Sequence, residues 1–417
     1  MSLAKDKFEA AGLLDGLRRF AEFGKSSTCY QLCLPNEAAV PVFENEFWSA
    51  KQRTANRLHE ISYRACFKAQ LPRFFIERLT GPGEVVYDPF MGRGTTLLEA
   101  ALLGRVPVGC DVNPLCARLI APRLSPPTLE QVARRLASVP LGNPVDETDE
   151  MLVFYHRETL RQLYALRRYL ADRQRFGLFD DIDGWIEMVA LSRLAGHSKG
   201  FFSVYSLPPN QAVSLASQRK INARLNQQPE WREVSALILA KSASLLKAVT
   251  PTVREGLSAM GRRAQILIGD CQRTPLLAAS SVDLVVTSPP FLDVVDYAKD
   301  NWLRGWFCGH EASVMEVPVH RHLTAWEAAM ERVLREIHRV LRPGGWVALE
   351  VGELRGGKVR LEESVIPAGR RAGLLAAAVL IHRQDFTKTA HCWGVQNQVR
   401  GTNTNRIVLF QKACVVS

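Results

Sequence analysis

The sequence lacks the features that would place the chain in a membrane, outside the cell or around a metal ion. No apolar run reaches the roughly 20 residues that a membrane-spanning helix needs. The opening residues, MSLAKDKFEAAG, lack the apolar stretch and cleavage site of a secretory signal. Nine cysteines are scattered, and no close pair has a second pair or a histidine at zinc-ligand spacing. We therefore expect a cytoplasmic protein with reduced thiols, no metal and no membrane partner.

The chain does have enough apolar material for a large core. Of its 417 residues, 47% are hydrophobic and 23% are charged, which is typical of a globular protein. The net charge of +11 favours a polyanionic partner, since lysine and arginine neutralise phosphates. A basic surface also aids solubility, so the charge alone leaves both explanations open.

Short apolar runs alternate with helical patterns in two parts of the chain. The first part reads as strand, glycine turn, helix and strand: GEVVYDPF, MGRGTT, TLLEAALLG and RVPVGCDVNP. The second part contains the strands AQILIGD, VDLVVTSPP, WVALEVGE, AVLIHRQDF and RIVLFQKA and the amphipathic helix WEAAMERVLREIHRVL. This alternation predicts an α/β fold with a Rossmann-like, doubly wound and mostly parallel sheet.

These patterns divide the chain into four segments. Residues 1–50 form an N-terminal arm with a helix over residues 7–23, and residues 51–127 form the first part of the α/β domain. Residues 128–262 are mostly helical and arginine-rich, and they form an insertion between the second and third strands of that domain. Residues 263–417 form the second part of the domain.

The first candidate ligand site is the turn 88–96, between a strand and a helix. Open α/β sheets bind ligands at the carboxyl ends of their strands, where this turn lies. Gly92 and Gly94 let the backbone approach a ligand closely, and the free N–H groups of the following helix attract an anionic group. A simple structural turn produces the same glycine pair.

Asp111 strengthens the interpretation of this turn as a ligand site. It ends the next strand about 20 residues later, where dinucleotide-binding folds place the acid that binds ribose hydroxyls. Asp111 is also a suitable cap for the helix that follows. The G-x-G-x-x-G motif needs a third glycine three residues after Gly94, but this chain has Thr96 and then Leu97 there. This difference argues against a nicotinamide cofactor.

Four motifs together resemble a known family. DPFMGRGTT, GCDVNP, LIGDC and TSPPF are similar to the motifs of the amino-methyltransferases that act on cytosine N4 or adenine N6 in DNA. The resemblance implies a class I methyltransferase fold with a seven-stranded sheet, and S-adenosyl-L-methionine as the cofactor. The segment HEISYRACFKAQLPRFFIERL resembles the one that closes over the methionine end of that cofactor. The implied cofactor-binding residues are Asp88, Pro89, Phe90, Gly92, Gly94, Thr95, Thr96, Asp111, Val112, Asp270 and Cys271.

The tetrapeptide in TSPPF implies the chemistry. An exocyclic amine is a poor nucleophile, because its lone pair is delocalised into the ring. By resemblance, the side-chain oxygen of Ser288 and the carbonyl of Pro289 are the acceptors that draw this nitrogen toward a tetrahedral form. Pro290 stiffens the turn, and Phe291 offers an aromatic face to a base that has been flipped out of the duplex.

Serine at position 288 favours cytosine N4, because adenine-modifying relatives usually carry Asp or Asn there. Adenine N6 is the nearest alternative, since its amine has the same conjugation. The absence of a Pro-Cys dipeptide argues against methylation of cytosine C5, which needs a cysteine nucleophile. Further alternatives are an RNA or protein-glutamine methyltransferase and a catalytically silent DNA-binding protein. The chain departs from the family pattern at Arg93, where serine is commoner, and at Phe291, where tyrosine is commoner.

The insertion is the predicted reader of double-stranded DNA. Its positive and polar side chains are candidates for contacts with phosphates and base edges. These candidates are Arg157, Arg161, Arg168, Lys199, Asn210, Gln211, Arg219 and Lys220. The arginine-rich helix can instead be a solvated face, and Phe201 and Phe202 can pack a core rather than stack on bases. The resemblance also allows a cognate restriction endonuclease as a second partner.

Overall fold

A nine-stranded sheet forms the centre of the chain in the computed structural model. The structure describes residues 10–49, 55–64, 66–140, 142–207, 213–290, 297–309, 322–354, 359–383 and 404–414. Its strands are β1 (Thr28–Leu32), β2 (Val40–Asn45), β3 (Val85–Asp88), β4 (Val106–Asp111), β5 (Gln265–Ile268), β6 (Val282–Thr287), β7 (Leu341–Val351), β10 (Leu374–Arg383) and β11 (Thr404–Lys412). The remaining two, β8 (Glu353–Leu354) and β9 (Val359–Arg360), form a separate antiparallel pair.

The strand order is β1-β2-β10-β11-β7-β6-β3-β4-β5. The strands from β7 to β5 run parallel to one another, whereas β11 runs antiparallel to both of its neighbours. The chain proceeds outward from β3 to β5 and then returns to the opposite side of β3 at β6. Doubly wound sheets bind ligands at such a reversal of strand order. The predicted α/β, doubly wound and mostly parallel fold is confirmed.

The predicted number of seven strands is wrong, because the described residues place nine in this sheet. The additional strands are β1 and β2 of the N-terminal arm, with β2 parallel to β10 and β1 antiparallel to β2. Four of the five residues of β1 are exposed, so no alternation of apolar and polar residues marks it as a strand. The non-local contact with the edge of the sheet determines its conformation.

Thirteen helices accompany the sheet in the described part of the chain. They are α1 (Ala10–Arg18), α2 (Gln70–Leu79), α3 (Thr95–Leu102), α4 (Leu115–Leu124), α5 (Leu129–Ala137), α6 (Arg157–Arg175), α7 (Asp181–Leu191), α8 (Leu215–Leu225), α9 (Val234–Leu246), α10 (Pro251–Gly261), α11 (Tyr297–Cys308), α12 (Leu323–Val340) and α13 (Leu361–Arg371). Helices α5 to α10 lie within residues 128–262, as the mostly helical pattern there predicts.

The insertion helices share an apolar core with the helices that follow the glycine turn. One cluster of buried side chains contains Leu97 of α3 and Ile120 of α4 together with Leu160, Trp185 and Ile238 of α6, α7 and α9. Burial of this apolar surface stabilises the contact between the insertion and the first half of the α/β domain. The position of the insertion is therefore set by packing as well as by its two chain connections.

Two properties of the described residues bear on membrane insertion and on metal binding. No single helix there is long and apolar enough to span a bilayer, and α9 and α10 meet the length and composition criteria only as a pair bent by 94°. The same residues contain no group of three or more His, Cys, Asp or Glu side chains that could hold a metal ion. Eight cysteines are free thiols, and Cys392 lies outside the described residues.

Candidate active site

The turn between β3 and α3 needs glycine at two positions. Gly92 and Gly94 have φ angles of +47° and +74°, in the left-handed region that other residues rarely adopt. A Cβ atom at Gly94 would lie 2.7 Å from the side chain of Ile120 on α4. Gly94 also precedes the first turn of α3, where the N–H groups have no partner within the helix. The turn is thus a narrow backbone surface with free donors at its end.

Asp88 and Thr96 join this turn to β6. Asp88 Oδ1 accepts hydrogen bonds from Thr287 Oγ1 at 2.6 Å and from the Phe90 amide at 3.0 Å. Thr96 Oγ1 donates to the carbonyl of Val286 at 3.1 Å. Burial raises the pKa of Asp88 to about 7. These contacts hold the predicted cofactor turn directly beside the strand that carries the TSPP sequence.

Asp111 lies beside the turn at the carboxyl end of β4. Its Oδ2 accepts from the Gly92 amide and its Oδ1 from the Asn113 amide, both at 2.9 Å, and burial raises its pKa. A carboxylate offers about four acceptor positions, so Asp111 can accept ribose hydroxyls as well. Asp111 does not cap α4, because the first N–H group of that helix, from Leu115, donates to Asn113 Oδ1 at 3.0 Å.

A third acidic residue, Asp270, lies just after β5 at the same edge of the sheet. The Gly269 amide donates to the carbonyl of Asp111 at 2.9 Å, so the two strand ends are in contact. Asp270 Oδ1 accepts from the Gln272 amide at 2.9 Å, and its side chain is exposed. Cys271 is buried, and burial raises the pKa of its thiol well above the ordinary value. The predicted cofactor residues on β3, β4 and β5 therefore line one edge.

The predicted catalytic turn follows β6 at this edge. Pro289 is buried, Ser288 is half-buried, and Trp326 Nε1 on α12 donates to the carbonyl of Pro290 at 3.1 Å. This hydrogen bond fixes the turn against α12. Phe291, the last residue of the predicted motif, lies outside the described residues.

Glu350 is a candidate site residue that the sequence motifs did not reveal. It lies on β7, where Thr287 pairs with Leu349, so the next residues along the two parallel strands, Ser288 and Glu350, are neighbours. The Ser288 hydroxyl and the Asn405 amide both hydrogen-bond to the Glu350 carboxyl group. Burial raises the pKa of Glu350 to about 7, although these two hydrogen bonds oppose the rise. The one feature of the sequence that could have indicated Glu350 is its position as the single carboxylate in the otherwise apolar strand WVALEV.

Residues 56–63 pack against the glycine turn through buried polar contacts. His59 Nε2 lies 2.7 Å from Glu99 Oε1 on α3, and burial lowers the pKa of His59. Arg93 donates from Nη1 to the carbonyls of His59 at 3.3 Å and Ile61 at 2.9 Å. The segment that by resemblance closes over the methionine end of the cofactor therefore contacts the turn directly.

The predicted DNA-contacting residues of the insertion fall into three groups. Four arginines lie within 4 Å of a carboxylate, in the pairs Arg157–Glu147, Arg161–Glu158, Arg168–Asp172 and Arg219–Glu150. Lys199 and Lys220 are exposed and form no ion pair with a residue that the structure describes. Asn210 and Gln211 lie outside the described residues. The two lysines therefore offer the least compensated positive charge of the candidate set.

The aromatic residues near these lysines are divided between core and surface. Phe201 and Phe202 are buried, in agreement with the alternative that they pack the core of the insertion. Tyr205 is exposed, and its backbone carbonyl accepts a hydrogen bond from Gln218 on α8 at 2.9 Å. Of the three, Tyr205 alone presents an accessible ring.

Comparison with known proteins identifies related sequences. A model of the N6/N4 methyltransferase family, described as DNA methylase, matches residues 35–121, which include the glycine turn and Asp111. Type II methyltransferase M.MjaII of Methanocaldococcus jannaschii is 39% identical over 67 residues, covering 16% of this chain and 12% of that protein. Type II methyltransferase M.BsoBI of Geobacillus stearothermophilus is 23% identical over 276 residues, covering 57% and 50%.

A third relative acts on RNA according to its name. The tRNA (guanine(10)-N2)-dimethyltransferase of Methanocaldococcus jannaschii is 28% identical over 130 residues, covering 27% of this chain and 36% of that protein. This chain thus spans half or less of the length of each of these relatives.

Solved structures also resemble the chain. One is described as a DNA modification methylase of Thermus thermophilus complexed with S-adenosyl-L-methionine, at 24% identity and a TM-score of 0.21, covering 35% of this chain and 51% of that one. Another is the rRNA methyltransferase aviRa of Streptomyces viridochromogenes, at 14% identity and a TM-score of 0.33, covering 86% and 90%. The architecture of this chain is established by its own strand order and register.

Proposed function

We propose that the chain transfers a methyl group from S-adenosyl-L-methionine to the exocyclic N4 of cytosine in double-stranded DNA, because a model of the N6/N4 methyltransferase family matches residues 35–121. The observation that carries the proposal is the position of Ser288 and Pro289 beside the glycine turn, joined to it by the Thr287–Asp88 hydrogen bond of 2.6 Å. A pair of acceptors for an amine thus adjoins a backbone surface suited to the cofactor.

The residues at this edge fit S-adenosylmethionine. Gly92 has no side chain to keep a ligand away from the turn, and Gly94 allows α4 to pack closely against it, so the turn would hold the methionine end of the cofactor. Asp111 would hold the ribose hydroxyls, and Asp270 and Cys271 would lie along the adenosine on its other side. When bound, the cofactor supplies a methyl group that is already activated by a sulfonium. The chain therefore mainly positions the reacting atoms.

Ser288 and Pro289 would orient the target amine through hydrogen-bond acceptance. Because the Ser288 hydroxyl is engaged with the carboxylate of Glu350, its oxygen lone pairs are free to face an N–H group of the base. Methylation would leave a positive charge on this nitrogen. Ser288 can then accept a proton from nitrogen while its own proton passes to Glu350, which balances the charge at the site.

The choice of base is tested by product analysis. The purified protein, S-adenosylmethionine and duplex DNA are incubated, and the DNA is digested to nucleosides for mass spectrometry. We expect the wild type to form N4-methylcytosine and the variant Ser288→Ala to form none. The control Ser281→Ala changes an exposed serine before β6 and should form the same product as the wild type. N6-methyladenine as the sole product would overturn the choice of cytosine and leave the cofactor site intact.

RNA is the second candidate substrate, favoured by the 130-residue match to a tRNA guanine-N2 dimethyltransferase. The N2 group of guanine is also an amine conjugated to a ring, so the same pair of acceptors serves it. Offering labelled cofactor with equimolar duplex DNA and tRNA separates the two: label in tRNA alone would contradict DNA methylation. A cognate restriction endonuclease is a predicted partner, to be tested by co-purification with the full chain and cleavage of unmethylated DNA.

A further inference from the structure

Two arginine side chains meet beside the glycine turn. Arg93 lies within the turn, and Arg123 lies near the carboxyl end of α4, with Arg123 Nη2 donating to the carbonyl of Arg93. Arg123 has an exposed fraction of 0%. A fully buried arginine is unusual, because a charged group loses its hydration on burial and normally acquires an ionic partner.

The hydrogen-bond partners of both guanidinium groups are neutral oxygens. Arg123 donates from Nε to the Leu119 carbonyl at 2.8 Å and from Nη1 to the Leu58 carbonyl at 3.3 Å. Arg93 donates to the carbonyls of residues 59 and 61 and, from Nε, to Thr95 Oγ1 at 3.2 Å. Neither arginine forms an ion pair with a residue that the structure describes, and the Nη2 atom of Arg93 has no hydrogen-bond partner among those residues.

The carboxylates in this cluster are engaged with other groups. Glu99 contacts His59 at 2.7 Å and lies 3.5 Å from Arg73. Asp111 accepts from two backbone amides, as described above. Burial and the proximity of Arg93 lower the pKa of Arg123 to about 9, which shows the cost of the uncompensated positive charge. The cluster therefore favours an additional negative charge from outside the chain.

We infer that Arg93, supported by Arg123, binds the carboxylate of the methionine moiety of the cofactor. This rests on the proposed function, which places the methionine end of S-adenosylmethionine at the turn. Arg93 Nε lies 3.2 Å from Thr95 Oγ1, so its guanidinium adjoins the start of α3, and its charge and the free N–H groups there would attract the same anion. Arg93 stands where the family commonly has serine, so this charge is a departure from the family's usual pattern.

Arg93 also holds residues 56–63 in place beside the glycine turn. Its Nη1 atom bridges two carbonyls of residues 56–63, so the side chain that binds the anion also holds this segment against the turn. Removing the guanidinium would affect both functions, and a loss of affinity alone cannot separate them. The separating quantity is selectivity for the carboxylate, which a purely structural role would leave unchanged.

The experiment compares S-adenosylmethionine with decarboxylated S-adenosylmethionine, which lacks only the carboxylate. Dissociation constants are measured by calorimetry for the wild type, Arg93→Gln, Arg93→Lys and the control Arg134→Gln, an exposed arginine on α5. We expect Arg93→Gln to weaken the binding of S-adenosylmethionine at least about tenfold more than it weakens the binding of the decarboxylated form, in line with the loss of a hydrogen bond to a charged group. Arg93→Lys should retain part of the preference.

The possible outcomes separate this inference from the proposed function. An equal loss of affinity for both ligands in a folded Arg93→Gln variant, judged by its thermal unfolding, would overturn the role of Arg93 in carboxylate binding. Unchanged affinity for both ligands would overturn it as well. If the wild type itself binds neither ligand, the failure belongs to the proposed methyltransferase function. Wild-type binding of both ligands with no preference between them would overturn the inference alone.

Discussion

Ser288, Glu350 and Asn405 form a chain of hydrogen bonds across the three neighbouring strands β6, β7 and β11. The amide of Asn405 occupies one side of the Glu350 carboxyl group, so the Ser288 hydroxyl has a defined acceptor. A serine oriented in this way presents its lone pairs in one direction, which an isolated serine on a turn would not do. At the scale of single residues, the buried carboxylate therefore supplies the directionality that the tetrapeptide alone lacks.

The first prediction concerns the pH dependence of methyl transfer. Glu350 accepts a proton only as a carboxylate, and its raised pKa of about 7 means that protonation below that pH removes the acceptor. We expect the single-turnover rate of the wild type to rise with pH through about 7. Glu350→Gln should be slower by about 10²-fold or more, in line with the loss of general base catalysis, and should lack this rise.

Asp88 also has a pKa raised to about 7, so the wild-type profile alone does not identify the titrating group. The comparison with Glu350→Gln does. The matched control is Glu336→Gln on α12, because hydrogen bonds from Arg339 hold the pKa of Glu336 near 2 and its carboxylate does not titrate in this range. A Glu350→Gln profile that keeps the wild-type midpoint would assign the titration to another group.

The second prediction concerns the backbone of the glycine turn. Gly94→Ala places a Cβ atom 2.7 Å from Ile120 at a φ of +74°, whereas Gly104→Ala meets nothing within 4 Å at a φ of +76°. The control therefore carries the same backbone strain without the clash. We expect both variants to lose about 1 kcal/mol or more of unfolding free energy, and Gly94→Ala to lose a further 1–3 kcal/mol, roughly the cost of overpacking.

Urea denaturation measures both losses, and calorimetry with S-adenosylmethionine measures the effect on the site. The cofactor should bind more weakly to Gly94→Ala and normally to Gly104→Ala, since only Gly94 shapes the predicted binding surface. Equal losses of stability in the two variants would mean that Ile120 moves away at no cost.

At the scale of elements, the sequence was most informative where the pattern is local. The strands β3, β4 and β6, the glycine turn and the helix predicted over residues 326–341, observed as α12 (Leu323–Val340), depend on nearby residues and were predicted close to their observed bounds. In the structure the acids at the ends of β4 and β5 share an edge, because parallel strands align their carboxyl ends.

Elements and contacts that depend on distant residues were not predictable. β1 is a strand because β2 lies beside it, and β2 in turn pairs with β10, which is far away in the chain. The pairing of Glu350 with Ser288 likewise depends on the register of β6 and β7. Arg123 reaches Arg93 only because α4 packs against the turn. None of these partners is marked by a spacing or motif in the sequence.

The third prediction, at the scale of the insertion helices, concerns the surface that we expect to bind DNA. Lys199 and Lys220 are not ion-paired with described residues, whereas Arg157 and Arg168 each lie within 4 Å of a carboxylate. Neutralising Lys199 and Lys220 together should weaken DNA binding and reduce the slope of log affinity against log salt by up to about 2. The matched double variant Arg157→Gln/Arg168→Gln removes the same charge and should change the slope less.

Fluorescence anisotropy with a labelled duplex at several salt concentrations gives both slopes. A larger effect from the arginine pair would place the DNA on α6 rather than on α8 and the loop that carries Lys199. Equal effects would indicate that the ion pairs on α6 open when DNA binds.

At the scale of the whole molecule, the insertion and the α/β domain are joined through α11 as well as through the shared core. α11 lies shortly after the catalytic turn in the chain, and Trp302 Nε1 on this helix donates to the carbonyl of Val213 at 3.1 Å. The guanidinium of Arg167 on α6 lies 5.3 Å from the ring centre of Trp306. The predicted DNA reader thus contacts the helix that follows the predicted catalytic residues, and it also packs on the helices that follow the predicted cofactor turn.

The fourth prediction is that the insertion unfolds together with the cofactor half. Trp185 has an exposed fraction of 0% in the shared core, whereas Trp231, a residue of the same type in the same insertion, is 60% exposed. We expect Trp185→Ala to cost about 3–5 kcal/mol and Trp231→Ala no more than about 0.5 kcal/mol. If the core is one cooperative unit, Trp185→Ala should lower the midpoint of a single unfolding transition. Circular dichroism and the loss of cofactor binding should both report that same midpoint. The alternative result is two transitions, with Trp185→Ala shifting only the transition that does not affect cofactor binding. The insertion would then be an independently folding domain. DNA recognition would in that case be coupled to methyl transfer through α11 alone.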